Sequence, residues 1–285
     1  MNSENVRIQT ENGHEIIGTV FRPAGETRTP RCVLIAAATG VKQFFYYKFA
    51  TFLCENGFLV LTFDYYGIGV SLTSSIRKIR NSMQDWGEKD MVAAIKWIKE
   101  NLRPFSLFFV GHSVGGQLVG LFEDPNVLEK LVFVTSQNGY WRLYQRKKYL
   151  YAFLWYTIWP LLTRLLGYFP SKFFRFGENL PKGVARQWGR WCRSRNYLFD
   201  DKRVDTGRYA LLKSPILSFS FSDDSYAPLG AVQDLLSHYL LAQVEYRHYA
   251  PMDLKLTKIG HFGFFRESAR ERLWPQVVAF FNGEK

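Results

Sequence analysis

The chain has 285 residues, 47% of them hydrophobic and 22% charged, which excludes a disordered or fibrous protein and is ample for one sizeable core. Its formal net charge of +12 suits an anionic partner, yet no helix-turn-helix, zinc-finger or RNA-binding motif accompanies it, so nucleic acid is not expected. Cys32, Cys54 and Cys192 form no C-x-x-C pair, and Met1–Arg7 has no apolar run. Neither a disulfide framework nor a signal peptide is expected, and a reduced, cytoplasmic protein fits best.

In chain order, Ile8–Arg22 reads as two short strands around the turn Asn12-Gly13. Val33–Ala38 is a continuous apolar run, as in a strand buried on both faces. Phe45–Asn56 has helical spacing closed by Gly57, and Phe58–Phe63 is a second buried strand. Met83–Leu102 reads as one helix, with Met91, Ala94, Ile95, Ile98 and Leu102 on one stripe. Ser106–Val110 is a strand, Gln117–Glu123 a short helix and Leu131–Thr135 a strand. Strand and helix alternate, which predicts a mostly parallel sheet flanked by helices.

The rhythm breaks between Gln137 and Arg208, a stretch dense in aromatic and basic residues. It resumes with strands at Pro215–Phe221 and Val244–Tyr249 and a last helix at Arg270–Phe281. The expected organisation is a core of residues 1–136 and 209–285 carrying a helical, aromatic-rich cap of residues 137–208. Tyr149–Phe169 is apolar enough to raise the question of a membrane span, but Pro160 and Arg164 interrupt it. A cap is the better reading. Arg146, Lys147, Lys148, Arg164 and Lys172 among the aromatics also suit peripheral contact with a membrane surface.

The chemistry begins at Gly111-His112-Ser113-Val114-Gly115. A serine hydroxyl attacks only when a base takes its proton and the chain presents it. G-x-S-x-G between a strand and a helix does the presenting, because its glycines let the backbone turn sharply against its neighbours. The bland alternative is a Gly/Ser turn without chemistry. His261, in Ile259-Gly260-His261-Phe262-Gly263, follows the last strand and precedes the last helix, where a base reaches such a turn. His14 lies too early, His112 should point away from Ser113, His238 reads as helical and His248 as strand.

An acid is expected after the strand Pro215–Phe221, where both Asp223 and Asp224 stand; Asp224, four residues before Pro228, is favoured. The oxyanion of an acyl-transfer intermediate needs two N–H donors. The backbone of Val114 is the first, and that of Thr39, in Ala36-Ala37-Ala38-Thr39-Gly40, is the choice for the second.

These residues together resemble the α/β-hydrolase family over nearly the whole chain outside the cap. Asp64-Tyr65-Tyr66-Gly67-Ile68-Gly69-Val70-Ser71 is similar to that family's D-x-R-G-x-G-x-S loop, with Tyr66 in place of the arginine. Gly111–Gly116 is similar to its G-H-S-x-G-G turn. Ala38-Thr39-Gly40-Val41 and Gly260–Phe265 resemble a group of uncharacterised bacterial hydrolases. The resemblance implies the fold and a Ser113–Asp224–His261 triad but no substrate, and a serine nucleophile argues against the dehalogenase branch.

The expected function is hydrolysis of a carboxylic ester, whether lipidic, aromatic or a thioester, with no cofactor and no metal. An acyltransferase using the same triad is the alternative, and a non-catalytic binding protein on this scaffold is a third reading. A small-molecule ester or acyl compound is the expected substrate. Tyr140, Trp141 and Trp188 are the first candidates to touch it, with Tyr144, Tyr149, Phe153, Trp155, Trp159 and Trp191 as further apolar surface. Most of these aromatics are expected only to pack the cap onto the sheet. Arg186, Arg190, Arg193 and Arg195 would either meet an anionic group or form a solvated helix face.

Overall fold

The structure, a computed structural model, describes residues 2–25, 29–144 and 148–284. The basic residues Arg146 and Lys147 lie outside the described residues. Among the described residues ten strands are formed: β1 (Asn2–Gln9), β2 (Glu15–Arg22), β3 (Arg31–Ala36), β4 (Phe58–Phe63), β5 (Ser106–His112), β6 (Lys130–Val134), β7 (Tyr168–Phe169), β8 (Leu180–Pro181), β9 (Ile216–Phe221) and β10 (Val244–Tyr249). Eight of them make one sheet in the order β1-β2-β4-β3-β5-β6-β9-β10. β1 and β2 pair antiparallel, as do β2 and β4, and every other pairing in this sheet is parallel.

The apolar runs behave as their composition requires. All residues of β4, β5 and β9 are buried, as in parallel strands covered on both faces. β1 begins at Asn2, earlier than its apolar residues suggest, because pairing with β2 from Asn2↔Arg22 to Gln9↔Glu15 extends it along an exposed edge. The helices Tyr47–Glu55 and Arg270–Asn282 lie side by side, with Phe49 and Trp274 at 5.4 Å between ring centres.

Three helical expectations are corrected. Met83–Leu102 is not one α-helix, because a π-turn at Trp86–Met91 separates Met83–Asp85 from Val92–Asn101. Trp86 stacks on Tyr65 at 4.6 Å, and buried Asp90 accepts the Tyr66 N–H at 2.8 Å, tying the turn to the chain beyond β4. The helix after Ser113 is short, Val114–Gln117, and tightens to a 3₁₀ turn at Val119–Leu121. His238 lies just beyond the helix Leu229–Leu236 and stacks on Phe199 at 3.4 Å.

The chain order places β3 and β5 side by side while β4 lies on the far side of β3, so the connections reverse between them. Crevices at such a reversal, beyond the carboxyl ends of the strands, are where open α/β sheets bind ligands. Ala36, which ends β3, pairs with Gly111 of β5. Thr39 and Ser113 therefore emerge on neighbouring loops.

Between β6 and β9 the chain forms the helical stretch Lys148–Leu166 with a π-turn at Leu154–Ile158, the hairpin of β7 and β8, and the helix Lys182–Trp191. Trp155, Trp159 and Trp188 meet there at 4.5–5.2 Å. The opposite side of the stretch leaves Leu150, Phe153, Leu161 and Leu165 exposed. No helix among the described residues is long and apolar enough to cross a membrane.

Candidate active site

Ser113 follows β5 with φ 51° and ψ −114°, a conformation that costs a non-glycine residue on the order of 1–3 kcal/mol. It is held there on both sides: its N–H donates to Val134 O at 2.9 Å, and its carbonyl accepts from Gly116 and Gln117. The flanking glycines are a steric need. A Cβ on Gly111 would strike Gly116 N, and one on Gly115 would strike the Ala36 carbonyl. The turn thus presses directly against the end of β3.

His261 lies in the loop expected for a base. Its Nδ1 donates to Asp224 Oδ2 at 2.7 Å, and both side chains are buried. The other carboxylate oxygen, Oδ1, accepts the N–H groups of Tyr226 (2.7 Å) and Ala227 (3.1 Å). A buried carboxylate survives only with such partners. Asp223 does something different: its two oxygens accept Ile259 N–H and Gly260 N–H, each at 2.9 Å. Of the two neighbouring acids, Asp224 touches the imidazole and Asp223 clamps the backbone just before it.

With Nδ1–H given to Asp224, His261 keeps Nε2 as its free basic nitrogen. His261 and Ser113 line one cavity of about 360 Å³. Such a pair commonly closes its hydrogen bond only when substrate tightens the site.

Val114 N–H sits at the first position of its helix and has no partner within it. In the loop after β3, Ala38 N–H donates to Tyr46 Oη at 2.9 Å. Thr39, the next residue, lines the cavity.

His112 points away from Ser113, and its bonds have fixed directions. Tyr46 Oη accepts from Ala38, so its own proton goes to His112 Nδ1 at 2.8 Å. His112 Nε2–H then donates to the carbonyl of His261 at 2.9 Å. Burial, reinforced by the nearby His261, holds His112 well below the usual histidine range, so it is neutral. This chain of bonds joins the loop after β3 to the loop carrying His261. Sequence reading placed His112 in the turn without seeing this role.

The Asp64–Ser71 loop is structural. Asp64 accepts Gln43 N–H (2.7 Å) and Val70 N–H (2.9 Å), and Ser71 Oγ donates to Asp64 O at 2.7 Å. Tyr66, which replaces an arginine in the resemblance, stacks on His14 at 4.1 Å.

The cavity wall is largely aromatic and aliphatic. Trp188 lines it, as do Tyr144, Trp155 and Trp159, whereas Tyr140 and Trp141 are not among its lining residues. Trp191 is buried, Phe153 is exposed on the outer side of its helix, and Tyr149 is also exposed. Sequence reading missed Phe44, Phe45, Tyr151, Leu154, Phe176 and Phe262, all of which line the cavity. None of the four arginines considered lines it: Arg190 pairs with Asp201 at 3.0 Å, and Arg193 covers Tyr156 at 5.5 Å. Among the described residues, the lysine and arginine on the wall are Lys42 and Arg175.

No protein-family model and no curated protein matches the chain. Among solved structures, it is similar to the Pyrococcus furiosus esterase Pf2001, at 16% identity and a TM-score of 0.63 over 99% of this chain and 90% of that one. It is similar to a highly thermostable carboxyl esterase from Bacillus coagulans at 17% identity, with a TM-score of 0.65 over 99% of both chains. DcsB, solved with its substrate analogue, superposes at 15% identity with a TM-score of 0.68 over 99% of both chains. At these identities the likeness concerns the path of the chain. Together with the eight-stranded sheet and its order, it identifies the architecture: this chain has the α/β-hydrolase fold.

Proposed function

We propose that the protein is a serine hydrolase that cleaves a carboxylic ester through an acyl-enzyme. The observation carrying this reading is the buried 2.7 Å pair of His261 Nδ1 and Asp224 Oδ2, with His261 and the strained Ser113 lining one apolar cavity. Residues 137–208 serve as the cap that closes this cavity.

In the proposed cycle His261 Nε2 takes the proton of Ser113 Oγ as that oxygen bonds to the ester carbonyl carbon. The carbonyl oxygen gains negative charge and accepts the N–H groups of Val114 and Thr39. Asp224 stabilises the imidazolium. When the intermediate collapses, the bond to the leaving oxygen breaks and His261 returns the proton to it. A water then repeats the sequence on the acyl-enzyme and restores Ser113 as the acid departs.

The assigned donors fit the loop chemistry. Ala38 N–H is engaged by Tyr46, while Thr39 borders the cavity beside the turn that presents Ser113. The largely aromatic wall suits an acyl chain or an aromatic acid. A series of p-nitrophenyl esters of increasing chain length tests the reading with wild type and Ser113→Ala. Turnover that falls at least about 10⁴-fold in the variant is expected. Undiminished turnover, or none in either protein across the series, contradicts it.

A further inference from the structure

The cavity wall contains one polar feature that the proposed chemistry leaves unused. Ser171 is buried at 1% exposure and lines the cavity, yet its Oγ has no hydrogen-bond partner among the described residues. A buried hydroxyl without a partner is costly, and native proteins keep few. Arg175, in the same loop, is exposed at the cavity wall and forms no ion pair among the described residues. The wall's carboxylate is already neutralised: Glu178 is held between Lys172 Nζ (2.8 Å) and Lys42 Nζ (3.4 Å).

The loop is built to stay where it is. The Ser171 carbonyl accepts both Phe174 N–H and Phe176 N–H at 3.0 Å, and Arg175 N–H donates to Lys172 O at 3.1 Å. Arg175 has φ +57°, a strained conformation for a side chain of its size. Glu178 N–H donates to Gly40 O at 2.7 Å, and Gly177 is packed so closely that a Cβ would overlap the same carbonyl. Gly40 follows Thr39. The backbone that carries the buried Ser171 and the exposed Arg175 is thus fixed against the loop that lies beside Ser113.

We propose that the loop Pro170–Glu178 is a recognition subsite for an anionic group, so that the substrate is an ester bearing a carboxylate or phosphate as well as an apolar chain. Arg175 supplies the charge and Ser171 Oγ donates a hydrogen bond to an anionic oxygen, while Trp155, Trp159 and Trp188 receive the chain. The subsite rests on the serine-hydrolase reading for its substrate but can be tested without turnover.

Two esters of matched length separate the effects: neutral p-nitrophenyl hexanoate and the mono-p-nitrophenyl ester of hexanedioic acid. R175E should lower kcat/KM for the charged ester about tenfold or more and leave the neutral ester within about twofold, as expected for loss of a charged contact. Ser171→Ala should raise KM for the charged ester about threefold with no loss of Tm, since it removes a hydroxyl that the fold does not satisfy. Calorimetric titration of heptanoate and hexyl phosphate into the Ser113→Ala protein reads the subsite directly. Tighter heptanoate assigns a carboxylate and tighter hexyl phosphate a phosphate, each weakened by R175E. Equal loss on both esters, or binding of both ligands indifferent to Arg175, overturns the subsite. Arg175-dependent binding in a protein that cleaves neither ester overturns the hydrolase reading and leaves the subsite standing.

Discussion

The two walls of the cavity are held by different forces. On the sheet side, position comes from short directional bonds: Ser113, His261, Asp224 and His112 are each fixed through backbone or imidazole contacts of 2.7–3.2 Å. On the helices contributed by the chain between β6 and β9, position comes mainly from ring packing, as where Trp159 stacks on Phe169 at 3.5 Å, while the loop Pro170–Glu178 between them is pinned by backbone bonds. Hydrogen bonds fail steeply with angle and distance, whereas apolar contacts tolerate substitution of similar volume. The sheet side is therefore suited to chemistry and the opposite side to variation in substrate.

The sharpest way to break this contrast lies within the sheet side. Asp224→Asn, which leaves the imidazole with the wrong partner, should lower kcat about 10³–10⁴-fold with the fold intact. Asp223→Asn, one residue away, weakens only the clamp on Ile259 and Gly260 and should cost about tenfold or less, with a lower Tm. Steady-state kinetics and thermal melts on the two variants decide it; similar kcat losses would remove the distinction between the acids.

A change on the other wall should act on selectivity. Trp188→Ala opens space beside Trp155 and Trp159. Its kcat/KM for long-chain esters should change about tenfold relative to short ones, with kcat for short esters nearly unchanged. A uniform fall across chain lengths would mean that Trp188 supports the catalytic side.

The smallest effect concerns pH. His112 is neutral in the fold because burial lowers its basicity, while in the unfolded chain it takes a proton near its usual pKa of 6.5. The unfolded state therefore binds more protons as pH falls below that value, and stability drops by up to about 1.4 kcal/mol per pH unit from this group. His112→Asn lacks this loss. The Tm advantage of wild type over the variant should shrink between pH 8 and pH 5; a constant difference would show that His112 does not titrate on unfolding.

The same contrast explains what could be read from the residues alone. β4 and β10 were legible to the residue, because an uninterrupted apolar run and an alternating one have few other uses. That Ser113 and His261 would meet at one cavity was legible because strand, turn and chain order constrain where their loops emerge. Between Asp223 and Asp224 only the spacing to Pro228 favoured the second, since both follow the same strand and the loop's conformation decides which faces the ring. The cavity wall was less legible still. Tyr151, Leu154, Trp155 and Trp159 line it at ordinary helical spacing, but nothing in that spacing says which helical face meets the cavity. Ser171 and Arg175 carry no local signal at all; they reach the cavity because Glu178 is pinned to Gly40, 138 positions earlier.

The central claim is that Ser113 is the nucleophile, and trapping it tests this most directly. Wild type treated with a fluorophosphonate should gain one covalent adduct by intact mass, mapped by peptide fragmentation to Ser113, and Ser113→Ala should gain none. An adduct on another residue, or equal labelling of the variant, would contradict the account.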